Sequence, residues 1–430
     1  MTKLRVIYNA ILILTSPVLA LYYLWLVFGS RKCRGAWKEQ IGRLPDSVRR
    51  VSSRPRVWIH AVSAGEAVAG APVFRELRAI LPDVELVAST TTAAGQEMVR
   101  KNIPEADLVI RYPLDFLPFV RRALNTVKPD VFVSIESEIW PNFLAEARSM
   151  GVRCLIINGV VSDKAFRRAL RIKPIYRWAL SNIERFLMQT QLDADRIMAL
   201  GAPPSKIEVV GNCKFDQENG STTVKPAEIR EKYGIKDGIP IFIAGSTNPG
   251  EDEPVLEAFR IAREQHPTLR LILAPRQIER AEEICALIRR FGFTYGVRSK
   301  PETIMGSEDV IVLDTFGELS TTYAIGSVAF VGGSLIAKGG HNILQPLAYG
   351  LPVIFGPYMF KARDLAAQAK AAGVGFEVEN AAALGRLVAE LISDTERLER
   401  IRADALRMMN ANRGASRRCA EAIAEAVSVK

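Results

Sequence analysis

The sequence predicts two doubly wound α/β domains behind an apolar N-terminal segment. Three observations carry that expectation. Short β-branched runs alternate with amphipathic stretches, as in parallel sheets covered on both faces. The alternation restarts after a polar stretch at 217–227. A chain of 430 residues also exceeds one ordinary core.

The first element is an uncharged apolar run at 6–28. As a helix rising about 1.5 Å per residue it is long enough to cross a bilayer core of about 30 Å. Pro17 kinks such a helix without forbidding insertion. No small-x-small cleavage site follows, so the run is expected to be kept. Lys3 and Arg5 precede it; Arg31, Lys32, Arg34 and Lys38 follow. The heavier positive side is C-terminal, which puts the main body in the cytoplasm. A helix lying on the inner leaflet satisfies the same pattern.

Strands are then expected at 57–62, 85–89, 108–112, 131–135, 154–157, 186–189 and 207–210. A second set follows at 241–244, 269–273, 310–313, 328–331, 352–355 and 375–378. The expected organisation is an anchor helix at 1–30, a first domain at 31–216, a second at 217–400 and a helical tail at 401–430. Ligands of such sheets bind beyond the carboxyl ends of the strands. With two such domains facing each other, the cleft between them is the expected site.

Composition excludes several classes. The net charge of +10 favours anionic partners. The basic residues are dispersed and do not interleave with aromatics, so no nucleic-acid partner is expected. Five scattered cysteines and three scattered histidines suggest neither a disulfide framework nor a metal site. No dinucleotide fingerprint or Walker motif occurs.

The candidate functional residues stand at strand ends. Glu66, in Ser63-Ala64-Gly65-Glu66, falls where the first strand gives way to a helix. There the helix dipole favours a carboxylate. It is either a base facing a ligand or an acid that only stabilises its own helix. Glu136 and Glu138 share a face if their strand continues; two such carboxylates need partners or one holds a proton. Lys214, in Gly211-Asn212-Cys213-Lys214, is either a solvated hinge residue or a cation reaching across the cleft. In the second domain, Gly245-Ser246-Thr247-Asn248 and Pro275-Arg276 close adjacent strands and suit an anion. Phe316-Gly317-Glu318 marks another strand end. Two glycine pairs, Gly332-Gly333 and Gly339-Gly340, bring backbone amides against a ligand; the second opens into His341-Asn342-Ile343-Leu344-Gln345.

These segments, taken in order, resemble the 3-deoxy-D-manno-octulosonic acid (Kdo) transferases of lipopolysaccharide synthesis. The resemblance runs from the N-terminal segment to about residue 375. It rests on HAVSAGE, STTTAAGQE, YPLDF, ESEIWPN, GNCKFD, AGSTNPGE, APR, DTFGELSTTY and VGGSLIAKGGHNILQPLAYGLPVIFGP. It implies a GT-B fold of two Rossmann-like domains, the first binding acceptor and the second binding CMP-sugar. It implies a CMP-Kdo donor, a tetra-acylated lipid A precursor as acceptor, an inner-membrane location, and inversion without a metal or other cofactor. Glu66 is similar to the family's general base, and Glu136 and Lys214 to its transition-state-stabilising positions. Pro275, Arg276, Phe316, Gly317, Glu318, Asn342, Ile343, Leu344 and Gln345 match the segments that hold CMP. Gln345 departs from the usual glutamate. Competing readings are another membrane-associated GT-B glycosyltransferase, a nucleotide-sugar epimerase, or a tethered nucleotide-binding module without catalysis.

Overall fold

The structure, a computed structural model, describes residues 3–29, 37–136, 138–217 and 225–428; the side chains of 18–29 and of Ala64 are outside the description. Most of the expected linker at 217–227, and the basic residues Arg31, Lys32 and Arg34, therefore lie outside the described residues. The chain forms two compact units. One joins Met1–Gln217 to Asn412–Lys430, and the other is Glu218–Ala411.

In the first unit a parallel sheet has the order β3-β2-β1-β4-β5-β6-β7. Its strands are β1 Arg56–His60, β2 Glu85–Thr90, β3 Leu108–Arg111, β4 Val131–Ile135, β5 Arg153–Gly159, β6 Arg185–Met188 and β7 Ile207–Val209. β1 and β4 are buried throughout. This is why they read as continuous apolar runs rather than alternating ones. β1 lies between β2 and β4, with Ile59 beside both Ala88 and Val133. The winding reverses there, so the carboxyl ends of β1 and β4 diverge into a crevice.

The second unit repeats the plan with β8 Ile241–Thr247, β9 Arg270–Pro275, β10 Tyr295–Val297, β11 Val310–Val312, β12 Val328–Val331, β13 Val353–Phe355 and β14 Gly375–Glu377. The order is β10-β11-β9-β8-β12-β13-β14, and every pairing is parallel. Its reversal falls between β8 and β12. β10 is absent from the sequence expectation. It is a short edge strand with a glycine at its centre, too brief to show a hydrophobic run.

The expected tail at 401–430 is divided. The helix Thr395–Asn412 ends at the boundary, and the helix Ala415–Ser428 returns to the first unit. Its residues Ala415, Cys419, Ala420 and Ile423 share a buried cluster with Ala67, Val73 and Leu77. Small side chains let this helix lie close to Ala64–Ile80. The Asp216 carboxylate accepts from the N–H groups of Gly414 and Ser416, at 2.7 Å each, and fixes where the chain turns back.

The N-terminal run forms one helix, Lys3–Gly29, with Pro17 inside it. Among the described residues no helix is long and apolar enough to cross a membrane. The second half of the run carries no described side chains.

Ile423 is wholly buried against the first sheet's helix layer. Ile423→Ala is expected to cost about 2–5 kcal/mol by loss of packing. Urea unfolding checks this; an unchanged midpoint would mean that the last helix does not belong to the core.

Candidate active site

The first unit's site is built on the crevice between β1 and β4. Past β1, Ser63 caps the helix Ala64–Ile80, its hydroxyl accepting from the Glu66 N–H at 3.3 Å. The same hydroxyl donates to Glu66 Oε1 at 2.9 Å, and the Val62 N–H donates to Oε2 at 2.8 Å. This is a variant of the capping box, in which Glu66 reaches the N–H of the residue before the cap. The helix-start reading of Glu66 is therefore correct as far as it goes.

Its environment adds the rest. Burial and the nearby Glu136 carboxylate push Glu66 up to about 7, with Glu138 adding to the rise; the Val62 amide and the Ser63 hydroxyl pull the other way. The expectation that the helix N-terminus favours the anion is thus outweighed. A carboxyl poised near neutrality is well matched to accept a proton.

β4 ends at Ile135, so the alternation that would pair Glu136 and Glu138 on one face stops short. Glu136 instead adopts a left-handed backbone at φ 63°. Its N–H is clamped to the Ile157 carbonyl of β5 at 2.9 Å. A non-glycine residue holds that conformation at a cost of about 1–2 kcal/mol. The turn aims Glu136 at Lys214, whose Nζ stands 3.5 Å from Oε1. Among the described residues no cation pairs with Glu138, and burial followed by Glu136 raises it.

Lys214 sits in the short turn Cys213–Gln217 beyond β7. Its N–H donates to Asn212 Oδ1 at 2.9 Å, and Asn212 Nδ2 donates to Gln189 Oε1 at 2.8 Å. Gln189 Nε2 in turn donates to the Asn158 carbonyl at 3.0 Å. Asn158 Oδ1 accepts from the Cys213 N–H, also at 3.0 Å. A chain of buried amides thus ties the ends of β5 and β6 to Lys214. The sequence reading named Asn212 only as part of the Lys214 motif and missed Gln189 and Asn158 as positioning residues. Their signal was polar side chains at the ends of buried strands, where an unpaired amide would be costly. Glu66, Glu136 and Lys214 are all brought together within the first unit.

The second unit holds a cavity of about 260 Å³ at the β8–β12 reversal, lined by Ser246, Arg276, Tyr323, His341, Asn342 and Gln345 among others. Gly245 is required there, since a Cβ would stand 1.9 Å from the Tyr323 hydroxyl. The Arg276 N–H donates to the Thr247 carbonyl at 2.9 Å, which joins the ends of β8 and β9. Asn248 Nδ2 donates to His341 Nε2 at 3.0 Å. Burial, then Arg276 and Lys361, push His341 down, so its ring is neutral beside two cations. Asn342 Oδ1 accepts from the Leu344 N–H.

Of the expected donor-binding residues, the cavity gathers Arg276, Asn342 and Gln345. Pro275 ends β9 behind Arg276, and Ile343 and Leu344 are core residues. Phe316 is 90% exposed, Gly317 turns at φ 86°, and Glu318 is forked onto Arg298. These three do not line the cavity. Among the described residues, no three His, Cys, Asp or Glu side chains group as a metal site would.

The first glycine pair corrects an expectation. Its amides do not await a ligand: the Gly332 N–H donates to the Gly245 carbonyl at 2.8 Å, and Glu251 takes the Gly333 N–H. This wholly buried carboxylate accepts from the N–H groups of Gly333 (2.6 Å), Ser334 (3.0 Å), Leu335 (3.0 Å) and Asn248 (3.0 Å). The nest binds an anion as its geometry demands, but the anion belongs to the chain.

Comparison with known proteins shows the family. The family model for 3-deoxy-D-manno-octulosonic-acid transferase (kdotransferase) matches residues 35–217. The 3-deoxy-D-manno-octulosonic acid transferase of Haemophilus influenzae is 31% identical over 96% of this chain and 96% of its own length. The chain belongs to the Kdo transferase family. It is therefore a glycosyltransferase. A bifunctional glycosyltransferase/methyltransferase of Fusobacterium nucleatum is 34% identical over 75% of this chain, which spans only 50% of that protein. Among solved structures, UDP-GlcNAc 2-epimerase from Neisseria meningitidis, bound to UDP-GlcNAc, covers 86% of this chain and 99% of its own at a TM-score of 0.53. Its 14% identity makes this a likeness of fold, of the GT-B-like type.

Glu66 can serve as a base only when ionised, so kcat/KM is expected to rise with pH through about 7. Glu136→Gln removes the larger neighbouring charge; the acid limb should move to lower pH even as the rate falls. A limb that stays in place would contradict the coupling. In the second unit, Glu251→Ala strips four buried amides of their acceptor and is expected to cost about 3–5 kcal/mol. A loss below about 1 kcal/mol on urea unfolding would mean that the amides find other partners.

Proposed function

We propose that this family member transfers Kdo from CMP-Kdo to a tetra-acylated lipid A precursor, with inversion and with Glu66 as the general base. The observation that carries the reading is the Glu66 carboxyl, raised to about 7 beside the Glu136–Lys214 pair. An acceptor hydroxyl gives its proton to Glu66 as its oxygen attacks the anomeric carbon. The bond from that carbon to the phosphate oxygen breaks, and CMP leaves with the electron pair. Such proton removal is typically worth about 10²–10⁴-fold. Lys214 and Glu136 stabilise the charge that develops.

The cavity in the second unit suits the CMP phosphate. Arg276 and Lys361 supply positive charge around a neutral His341. Fixed cations at a departing phosphate act as an electrostatic stabiliser and need no resident metal or cofactor in this scheme. Exposed Phe316 offers a ring for a base to stack on.

We place the chain at the cytoplasmic face of the inner membrane. Supporting this, Val6, Ile7, Ile11, Ile13 and Leu14 are all exposed on the N-terminal helix. The helix Lys173–Leu180 packs on it, and the helix Asp163–Arg171 just before exposes Lys164, Arg167, Arg168 and Arg171. Exposed apolar and basic residues of this kind suit an anionic bilayer.

Glu66→Gln should lose turnover, by about 10²-fold or more, while calorimetry still finds CMP bound. Near-normal transfer by that variant would sink the base assignment.

A further inference from the structure

The first turns of the N-terminal helix dock on the first unit through a set of polar groups, beside a ring contact of Tyr8 with Trp178. Tyr8 donates its hydroxyl to Asp115 Oδ2 at 2.9 Å. Asn9 and Asn142 exchange side-chain amide bonds at 2.9 and 3.0 Å. Arg5 pairs with Glu146, which Arg121 holds from the other side. Positions 5, 8 and 9 lie on one helical stripe. The receiving residues Asp115, Asn142 and Glu146 are all buried. The outward stripe is apolar and exposed, so this helix is amphipathic in the inverse of the usual sense.

The receiving residues also adjoin the catalytic turn. Asp115 accepts from the N–H groups of Asn142 (3.0 Å) and Phe143 (2.8 Å). Those amides open the helix Pro141–Ser149, which follows directly from the turn bearing Glu136 and Glu138. One carboxylate thus holds Tyr8 and the start of that helix together. Asp115 comes from YPLDF, a motif for which the proposed chemistry has no other use, and Asn142 closes ESEIWPN, the motif that bears Glu136.

We propose that the N-terminal helix is a fixed strut rather than a flexible tether: Arg5, Tyr8 and Asn9 lock it to Asp115, Asn142 and Glu146. The bilayer contacted by the helix then sets the orientation in which Glu66 and Glu136 meet a membrane-held acceptor. This rests on the membrane-bound Kdo transfer proposed above. Buried Asp115, Asn142 and Glu146 make the lock specific, because each would lose a partner if the helix swung away.

The test is the variant Arg5→Ala/Tyr8→Phe/Asn9→Ala in the full chain, which keeps the apolar outward stripe. Sedimentation with phosphatidylethanolamine–phosphatidylglycerol vesicles should be unchanged. Transfer to acceptor embedded in those vesicles should fall about tenfold, as orientation is lost. Transfer to the same acceptor dispersed in detergent micelles should be preserved. A Gly-Ser insert of about ten residues between 30 and 36 should be tolerated by the native lock and deepen the loss in the variant. Full vesicle activity in the triple variant, equal losses in vesicles and micelles, or loss of vesicle binding would each overturn the strut. Hydrogen exchange reads the lock without any acceptor: residues 5–17 should be protected in the native chain and exposed in the variant, and rapid exchange in the native chain would also overturn it. A native chain that transfers no Kdo at all would count against the function proposed above, and the exchange result would still decide the strut.

Discussion

A carboxylate held by backbone N–H groups at the end of a parallel strand organises each unit. Glu66 takes the Val62 amide and Glu251 takes those of Asn248, Gly333, Ser334 and Leu335. Asp115 and Asp216 repeat the interaction at the helix Pro141–Ser149 and at the returning C-terminal helix. Parallel sheets make it necessary, because their loops leave amides unpaired where the winding reverses.

What separates a structural carboxylate from a reactive one is how fully it is satisfied. Glu251 is sealed and accepts four N–H bonds, so it ties the turn after β8 to the turn after β12. Glu66 has one amide and one hydroxyl, is only partly buried, and shares its surroundings with Glu136 and Glu138. Burial, with those like charges, lifts it towards neutrality. Lys214 relieves Glu136 but does not pair with Glu66. The carboxyl left under strain is therefore the one able to exchange a proton.

Much of this was legible in the chain. Among the described residues, thirteen of the fourteen strands fall where the sequence reading expects one, most of them as apolar runs because burial on both faces removes the need for polar alternation. Glu66, Glu136 and Lys214 are visible because acids and bases at the ends of buried strands are conspicuous. The rest depended on contacts distant in sequence. Nothing local marks Glu251 as the anion for Gly333, or Asn158 and Gln189 as supports for Lys214. The sorting of the C-terminal helices between units follows from Asp216 and a stripe of small residues that fit one partner. Tyr8 and Asn9 were hidden within a run that hydropathy alone reads as uniform, and Arg5 stood just before it as a flanking charge.

The central claim is that the environment of Glu66 turns a helix-capping acid into a base at neutral pH. Its most direct test is a carbon-13 NMR titration of the Glu66 carboxyl, assigned by its loss in Glu66→Gln. The account predicts a midpoint near 7. A midpoint at the ordinary 4.5 would contradict it.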